Sequence, residues 1–373
     1  MMAGELARPN VFEIDLRVIA GFTRQVRALI GPETFFFATL KADAYGYGVL
    51  PVARTVLSAG AQALSLASLE DAVQLRLAGI EVPIMVYAGV LPSPAAVRAI
   101  ERHGLIASIY SEESLRAYEA LASQPIPVAV KVEIGPERIG VAAAQAVDFI
   151  ADLVRRPAFS LQVLNAHPNV PAHAGVDCLH WQYRNFVAVC EGLERRGIRV
   201  PYRVLASSRV LRMTGTGMLL NAVDPGDALF APLHPVPGGG PTPLRALRSR
   251  LIQVRPASRR EYLAEAPFPL RPGMRIGIIP MGYSDGMKRL HCGAVLVRGR
   301  RAPILGSPAL EYTRIDLTGI AQAAAGDEVM IIGEQDGAAI SAHEVMQAQG
   351  AARVADLAME IRSTTQRHYV EHQ

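Results

Sequence analysis

Residues 35–89 read FFFATLKADAYGYGVLPVARTVLSAGAQALSLASLEDAVQLRLAGIEVPIMVYAG. Three apolar runs, FFFATLK (35–41), ALSLASL (63–69) and PIMVYAG (83–89), alternate here with stretches such as EDAVQLRLAG (70–79), whose apolar residues recur at helical spacing. The runs are short, rich in Val, Ile, Leu and Phe, and not strictly alternating. Strands buried on both faces of a parallel sheet read this way. The rhythm continues through LIASIY (105–110), PVAVKVEI (127–134), FSLQVLNAH (159–167), YRVLAS (202–207) and GDALFA (226–231). SEESLRAYEALAS (111–123) and HWQYRNFVAVCEGLERRG (180–197) supply helices between them. Ser111, followed by Glu112 and Glu113, suits an N-cap with acids in the first turn. Eight such runs alternating with helices predict an α/β fold, a (β/α)8 TIM-type barrel. An open doubly wound sheet is the competitor, but no G-x-G-x-x-G follows any run.

HPVPGGGPTP (234–243) reads as a linker, because its prolines and glycines suit neither helix nor central strand. Beyond it the pattern changes. RLIQVRPA (250–257), RIGIIPMGY (275–283), AVLVRGRRAPILG (294–306) and DEVMIIG (327–333) alternate more clearly and are joined by Gly/Pro turns. They predict a mostly antiparallel β-domain closed by two helices, 341–350 and 354–363. The expected division is 1–34 as an N-terminal strand and helix, 35–233 as barrel, 234–243 as linker and 244–373 as C-terminal domain, with VFEIDL (11–16) free to pair with the last.

Of the 373 residues 50% are hydrophobic, enough for more than one core. A net charge of +4 without a Lys/Arg block argues against nucleic acid as partner. Cys178, Cys190 and Cys292 are widely spaced, so neither a disulfide framework nor a zinc finger is expected. MMAGELARPN lacks the apolar centre of a signal peptide, and no apolar run reaches the roughly 18 residues of a membrane span. A cytoplasmic enzyme without membrane attachment is expected.

A barrel of this kind keeps its chemistry at the carboxyl ends of its strands. Lys41 ends the first run, Lys131 lies within the fifth and Arg138 just past it, His167 ends the sixth, Ser207 and Ser208 end the seventh, and Asp224 precedes the eighth. This set suits a phosphorylated, nitrogen-bearing aromatic cofactor. A lysine emerging behind six largely apolar residues is partly desolvated, which lowers its pKa and makes its amine a competent nucleophile. The glycines of AYGYG permit close approach of a ligand to the backbone.

LKADAYGYGVLPVA (40–53) resembles the pyridoxal-lysine motif of the alanine racemase family, the fold type III pyridoxal-phosphate enzymes, with Tyr47 where that family usually has His. KVEIGPERIG (131–140), MGYSDGMKR (281–289) and APILG (302–306) are similar to further motifs of the family, and the similarity spans nearly the whole chain. The resemblance implies pyridoxal 5'-phosphate as cofactor, with Lys41 as its Schiff-base partner and a proton-transfer base. It implies that Tyr45 reaches the phosphate, and that Ser208 with the amides of Gly226 and Asp227 holds it. Ser207 stands beside Ser208, in place of the family's Asn. Arg138 would meet the cofactor and the substrate carboxylate, supported by Lys131, which is often carbamylated in relatives. His167 would lie against the ring. Tyr283, Glu311 and Tyr312 would belong to the substrate side or the partner's second domain, so a homodimer with composite sites is implied.

Several positions depart from the family pattern. The arginine that faces the ring nitrogen in relatives reads Asp224, and a carboxylate there favours a protonated ring and a strong electron sink. The tyrosine that serves as opposite-face base reads Ala264 without gaps and Tyr262 with a two-residue gap. Three functions follow. The first is amino-acid racemisation. The second is one-faced chemistry on the same cofactor: decarboxylation, aldol cleavage or transfer, or elimination. The third is a cofactor-binding regulatory protein without turnover. HPNVPAHAGVDCLH (167–180) gathers His167, His173, Asp177, Cys178 and His180, but the spacing matches no standard ligand set, and no metal is expected.

Overall fold

The computed structural model describes residues 8–171, 175–234, 236–257, 268, 270–271 and 273–371. The chain separates into two units, one of residues 19–44 and 48–235, the other of 1–18, 45–47 and 236–373.

The chain opens with β1 (Val11–Asp15) and α1 (Leu16–Ile30). The first unit then runs β2 (Phe35–Thr39), α2 (Lys41–Tyr45), α3 (Val49–Ser58), β3 (Ala63–Leu66), α4 (Leu69–Leu77), β4 (Ile84–Val86), α5 (Pro94–His103), β5 (Ala107–Ile109) and α6 (Glu112–Leu121). It continues with β6 (Ile126–Glu133), β7 (Val141–Ala142), α7 (Ala143–Leu153), β8 (Phe159–Ala166), α8 (Val176–Arg195), β9 (Tyr202–Ala206), α9 (Ser208–Thr214) and β10 (Ala222–Val223). The strands lie in the order β4-β3-β2-β10-β9-β8-β6-β5, with β7 added on β6. A bridge between Met85 and Ile106 joins the ends, so the ring of parallel strands nearly closes. One buried layer inside it takes Phe37, Ala63, Met85, Ile106, Ala129, Val163, Val204 and Ala222 from successive strands. This is the packed centre of a TIM-type barrel. Ser111 caps α6 as its sequence suggests, accepting the Ser114 amide.

The eighth strand differs from expectation. GDALFA is no strand: Asp227–Leu229 forms a 3-10 turn, and β10 is the two residues before Asp224. Pro225 has no N–H for a ladder, and the Gly226 and Ala228 amides are drawn instead to the Ser208 hydroxyl. Asp224 therefore follows the last strand rather than preceding it.

The second unit holds β11 (Leu244–Arg250), β12 (Gln253–Pro256), β13 (Arg275–Ile279), β14 (Ala294–Val297), β15 (Arg300–Pro303), β16 (Thr313–Asp316), β17 (Glu328–Gln335), β18 (Ala338–Ile340), α10 (Ala342–Ala348), α11 (Val354–Glu360) and β19 (Gln366–Val370). One sheet has the order β15-β14-β17-β11-β1-β19, with β18 on β17; a second is β12-β13-β16. All pairings are antiparallel except β1 with β19. The chain does not close on two helices. QRHYV forms a further strand, whose charged residues suit a sheet edge.

The segment after β2 is unusual. Ala42, Asp43, Ala44 and Tyr45 have φ between 52° and 56°, a left-handed run without glycine. Such a conformation costs roughly 1–2 kcal/mol per residue. The Asp43 carboxylate accepts the Val49 amide at 2.7 Å and its carbonyl accepts the Gly48 amide at 2.9 Å, which ties the run to the start of α3. Gly46 approaches protein rather than ligand: at φ +83° its Cβ would stand 2.5 Å from the Ala358 carbonyl oxygen. Gly46→Ala is expected to lower stability by roughly 2–5 kcal/mol. Denaturant unfolding reads this, and an unchanged midpoint contradicts it.

Candidate active site

The carboxyl ends of β2, β4, β6, β8, β9 and β10 bring together a buried polar cluster. Lys41 follows β2, and its Nζ lies 4.1 Å from the centre of the Tyr87 ring, at the end of β4. The Tyr87 hydroxyl donates to Asp224 Oδ2 at 2.7 Å and lies 3.1 Å from Thr39 Oγ1. Asn165 in β8 donates through Nδ2 to the same Oδ2 at 3.1 Å and accepts Lys131 Nζ at 2.5 Å. Thr39 Oγ1 donates to the Asp224 carbonyl at 2.8 Å. Asp224 is almost wholly buried, and among the described residues its Oδ1 has no hydrogen-bond partner.

Burial sets the charge states. Desolvation lowers the Lys41 pKa, opposed by the Asp224 charge and assisted by Arg138. It pushes Lys131 down to about 7 despite Asp224. His167 is pushed down to about 3, by desolvation and then by the charges of Lys131, Arg138 and Lys41, so its ring stays neutral. Desolvation raises Asp224, against the pull of Lys131. Tyr87 is raised well above its ordinary value by burial and by Asp224, so it keeps its proton for the carboxylate.

Ser207 stands at the N-cap position of α9 without a side-chain capping bond, and both Ser207 and Ser208 are buried. Ser208 Oγ accepts the amides of Gly226 and Ala228, each at 3.0 Å. The Asp227 side chain pairs with Arg212. Arg138 is exposed on the loop after β6. α8 braces that loop: Asn185 Nδ2 donates to the Ile134 carbonyl at 2.8 Å, and a Cβ at Gly135 would lie 2.1 Å from the Trp181 ring. Tyr45 ends the left-handed run.

The other predicted residues lie in the second unit. Tyr283 opens a 3-10 turn and is half exposed, Glu311 pairs with Arg8 at 2.9 Å, and the Arg314 guanidinium lies 5.7 Å from the Tyr312 ring. Tyr262, Ala264 and His173 fall outside the described residues. Among the described residues no group of His, Cys, Asp and Glu could hold a metal ion.

Tyr87, Asn165 and Ala228 escape a reading of the sequence. Tyr87 follows directly on the apolar strand IMV, and Asn165 is an amide in the buried half of its strand. Those are the signals that mark them. Ala228 acts through its backbone and leaves none.

Family models described as "Alanine racemase, N-terminal domain" and "Alanine racemase, C-terminal domain" match residues 14–233 and 245–369. The chain belongs to the alanine racemase family. Among curated alanine racemases, that of Halothermothrix orenii is 32% identical over 365 residues, covering 93% of each chain. That of Geobacillus stearothermophilus is 33% identical, covering 89% of this chain and 86% of its own. The crystal structure of alanine racemase from Bacillus anthracis with bound L-Ala-P has a TM-score of 0.84 at 26% identity, covering 98% of this chain and 96% of that one. Alanine racemase from Streptomyces coelicolor has a TM-score of 0.80, also at 26% identity, covering 98% of each chain.

Proposed function

We propose that the chain is a pyridoxal-phosphate-dependent amino-acid racemase, with alanine as the first substrate to test. One observation carries this. A partly buried lysine amine, a buried carboxylate with one oxygen lacking a donor, and two backbone amides gathered on a serine hydroxyl stand at the carboxyl ends of one barrel. They suit the polar parts of the cofactor: Lys41 its aldehyde, Asp224 its ring nitrogen, and the Ser208 hydroxyl with the backbone of Gly226 and Asp227 its phosphate.

When bound, the cofactor supplies an electron sink that acidifies the substrate's α C–H. Lys41, its basicity lowered by burial, carries the proton on one face of that carbon. Arg138 would hold the substrate carboxylate, Tyr45 would help hold the phosphate, and neutral His167 would offer a flat face without adding charge. The opposite-face proton is assigned to Tyr262, which a two-residue gap aligns with the family's tyrosine where an ungapped count gives Ala264, and Tyr283, Glu311 and Tyr312 are assigned to the substrate side of a cytoplasmic homodimer.

In deuterium oxide, L-alanine is expected to gain deuterium at the α-carbon and lose optical purity together. Asp224 favours a second reading, one-faced chemistry, because a carboxylate on the ring nitrogen prolongs the life of a carbanion. Deuterium entry with retained optical purity supports that reading and overturns racemisation. No exchange with any amino acid overturns both.

A further inference from the structure

Asp224 is held from four directions. Its amide donates to the Ala206 carbonyl at 3.2 Å, its carbonyl accepts Thr39, and its Oδ2 accepts both Tyr87 and Asn165. The Asn165 amide cannot turn over without loss. Lys131 only donates and the carboxylate only accepts, so one edge faces each. The outcome is an asymmetric carboxylate, with Oδ2 doubly committed and Oδ1 buried without a partner among the described residues. An unsatisfied buried acceptor costs about 1–3 kcal/mol, and more when charged. Four hydrogen bonds maintain that cost, which is understandable if a donor arrives with a ligand.

We propose that Tyr87 and Asn165 are positioning residues that hold Asp224 with Oδ1 reserved for a protonated ring nitrogen, so that the site keeps its heteroaromatic cofactor in the pyridinium form. This rests on the pyridoxal phosphate reading above. The donor N–H on the ring satisfies Oδ1, and its positive charge is balanced by the carboxylate. Tyr87 and Asn165 stabilise the charge on Asp224, which keeps the shared proton on nitrogen. Lys131 extends the same chain by donating to the far edge of Asn165. Removing either donor makes the carboxylate more basic and moves the proton from nitrogen to Oδ1.

The test loads the protein with pyridoxal phosphate carrying 15N in its ring and reads the nitrogen chemical shift. The wild-type signal is expected at the pyridinium position. Asp224→Asn is expected to move it to the position of free pyridine, and Tyr87→Phe and Asn165→Leu part of the way. Tyr87→Phe removes one oxygen from a retained ring, so its fold is expected to persist. A free-pyridine signal in the wild type overturns the proposal outright, and signals unmoved in both Tyr87→Phe and Asn165→Leu overturn the positioning role. Borohydride treatment and peptide mass separate this from the cofactor reading. No added mass on Lys41 overturns both, whereas added mass with a free-pyridine signal overturns the proposal alone.

Discussion

Lys41→Ala is expected to lower racemisation by a factor on the order of 10⁴ or more, because one amine both anchors the cofactor and moves the proton. The fold is expected to survive. Lys41 sits partly desolvated, so removing it also removes a burial cost, and its cation–π interaction with the Tyr87 ring contributes only about 0.5–2 kcal/mol. The measurement is alanine racemisation beside the visible absorbance of the cofactor-loaded protein. Retention of a covalent lysine adduct in the variant refutes the assignment of Lys41. Loss of activity with loss of the folded state leaves the assignment to the borohydride adduct of the wild type.

Stability of the cofactor-free protein is expected to rise with pH above neutrality, and Lys131→Met is expected to flatten that rise. Lys131 has a native pKa of about 7 against 10.5 for the ordinary side chain. Between those values the unfolded chain binds the proton and the native one does not, so unfolding is disfavoured as pH climbs. The stabilisation is present above the unfolded value and lost as pH falls through the native one. The slope from one such group approaches about 1.4 kcal/mol per pH unit. Lys41 is shifted in the same direction and adds to it. Asp224, with its pKa raised, works in the opposite sense: its contribution is present at acid pH and is lost as pH rises through its native value. Urea titrations at about pH 7 and about pH 10 check this. Equal slopes for wild type and Lys131→Met contradict it.

Most of the barrel was legible because its strands are buried on both faces, and double burial writes uninterrupted apolar runs into the sequence. The eighth strand was the exception. It is only Ala222–Val223, too short to leave a run, while the apolar GDALFA beyond it coils because its amides serve Ser208. The last strand was hidden for the opposite reason. QRHYV is polar, since it lies at a sheet edge and buries little.

Lys41, Lys131, His167, Ser208 and Asp224 could be found from their places at or near strand ends, since backbone order alone puts such positions on one rim. Their partners could not. Tyr87 and Asp224 are 137 residues apart, and Asn165 and Asp224 are 59 apart. Nothing in the one-dimensional pattern says which rim residues share a hydrogen bond, because that depends on ring closure and side-chain reach. From the sequence alone came the barrel, the lysine at its mouth and a carboxylate on the same rim. The tertiary structure decided that this carboxylate keeps one oxygen without a donor and that the charges around it are desolvated. Burial and pairing are properties of the packed chain, which no single stretch of residues carries.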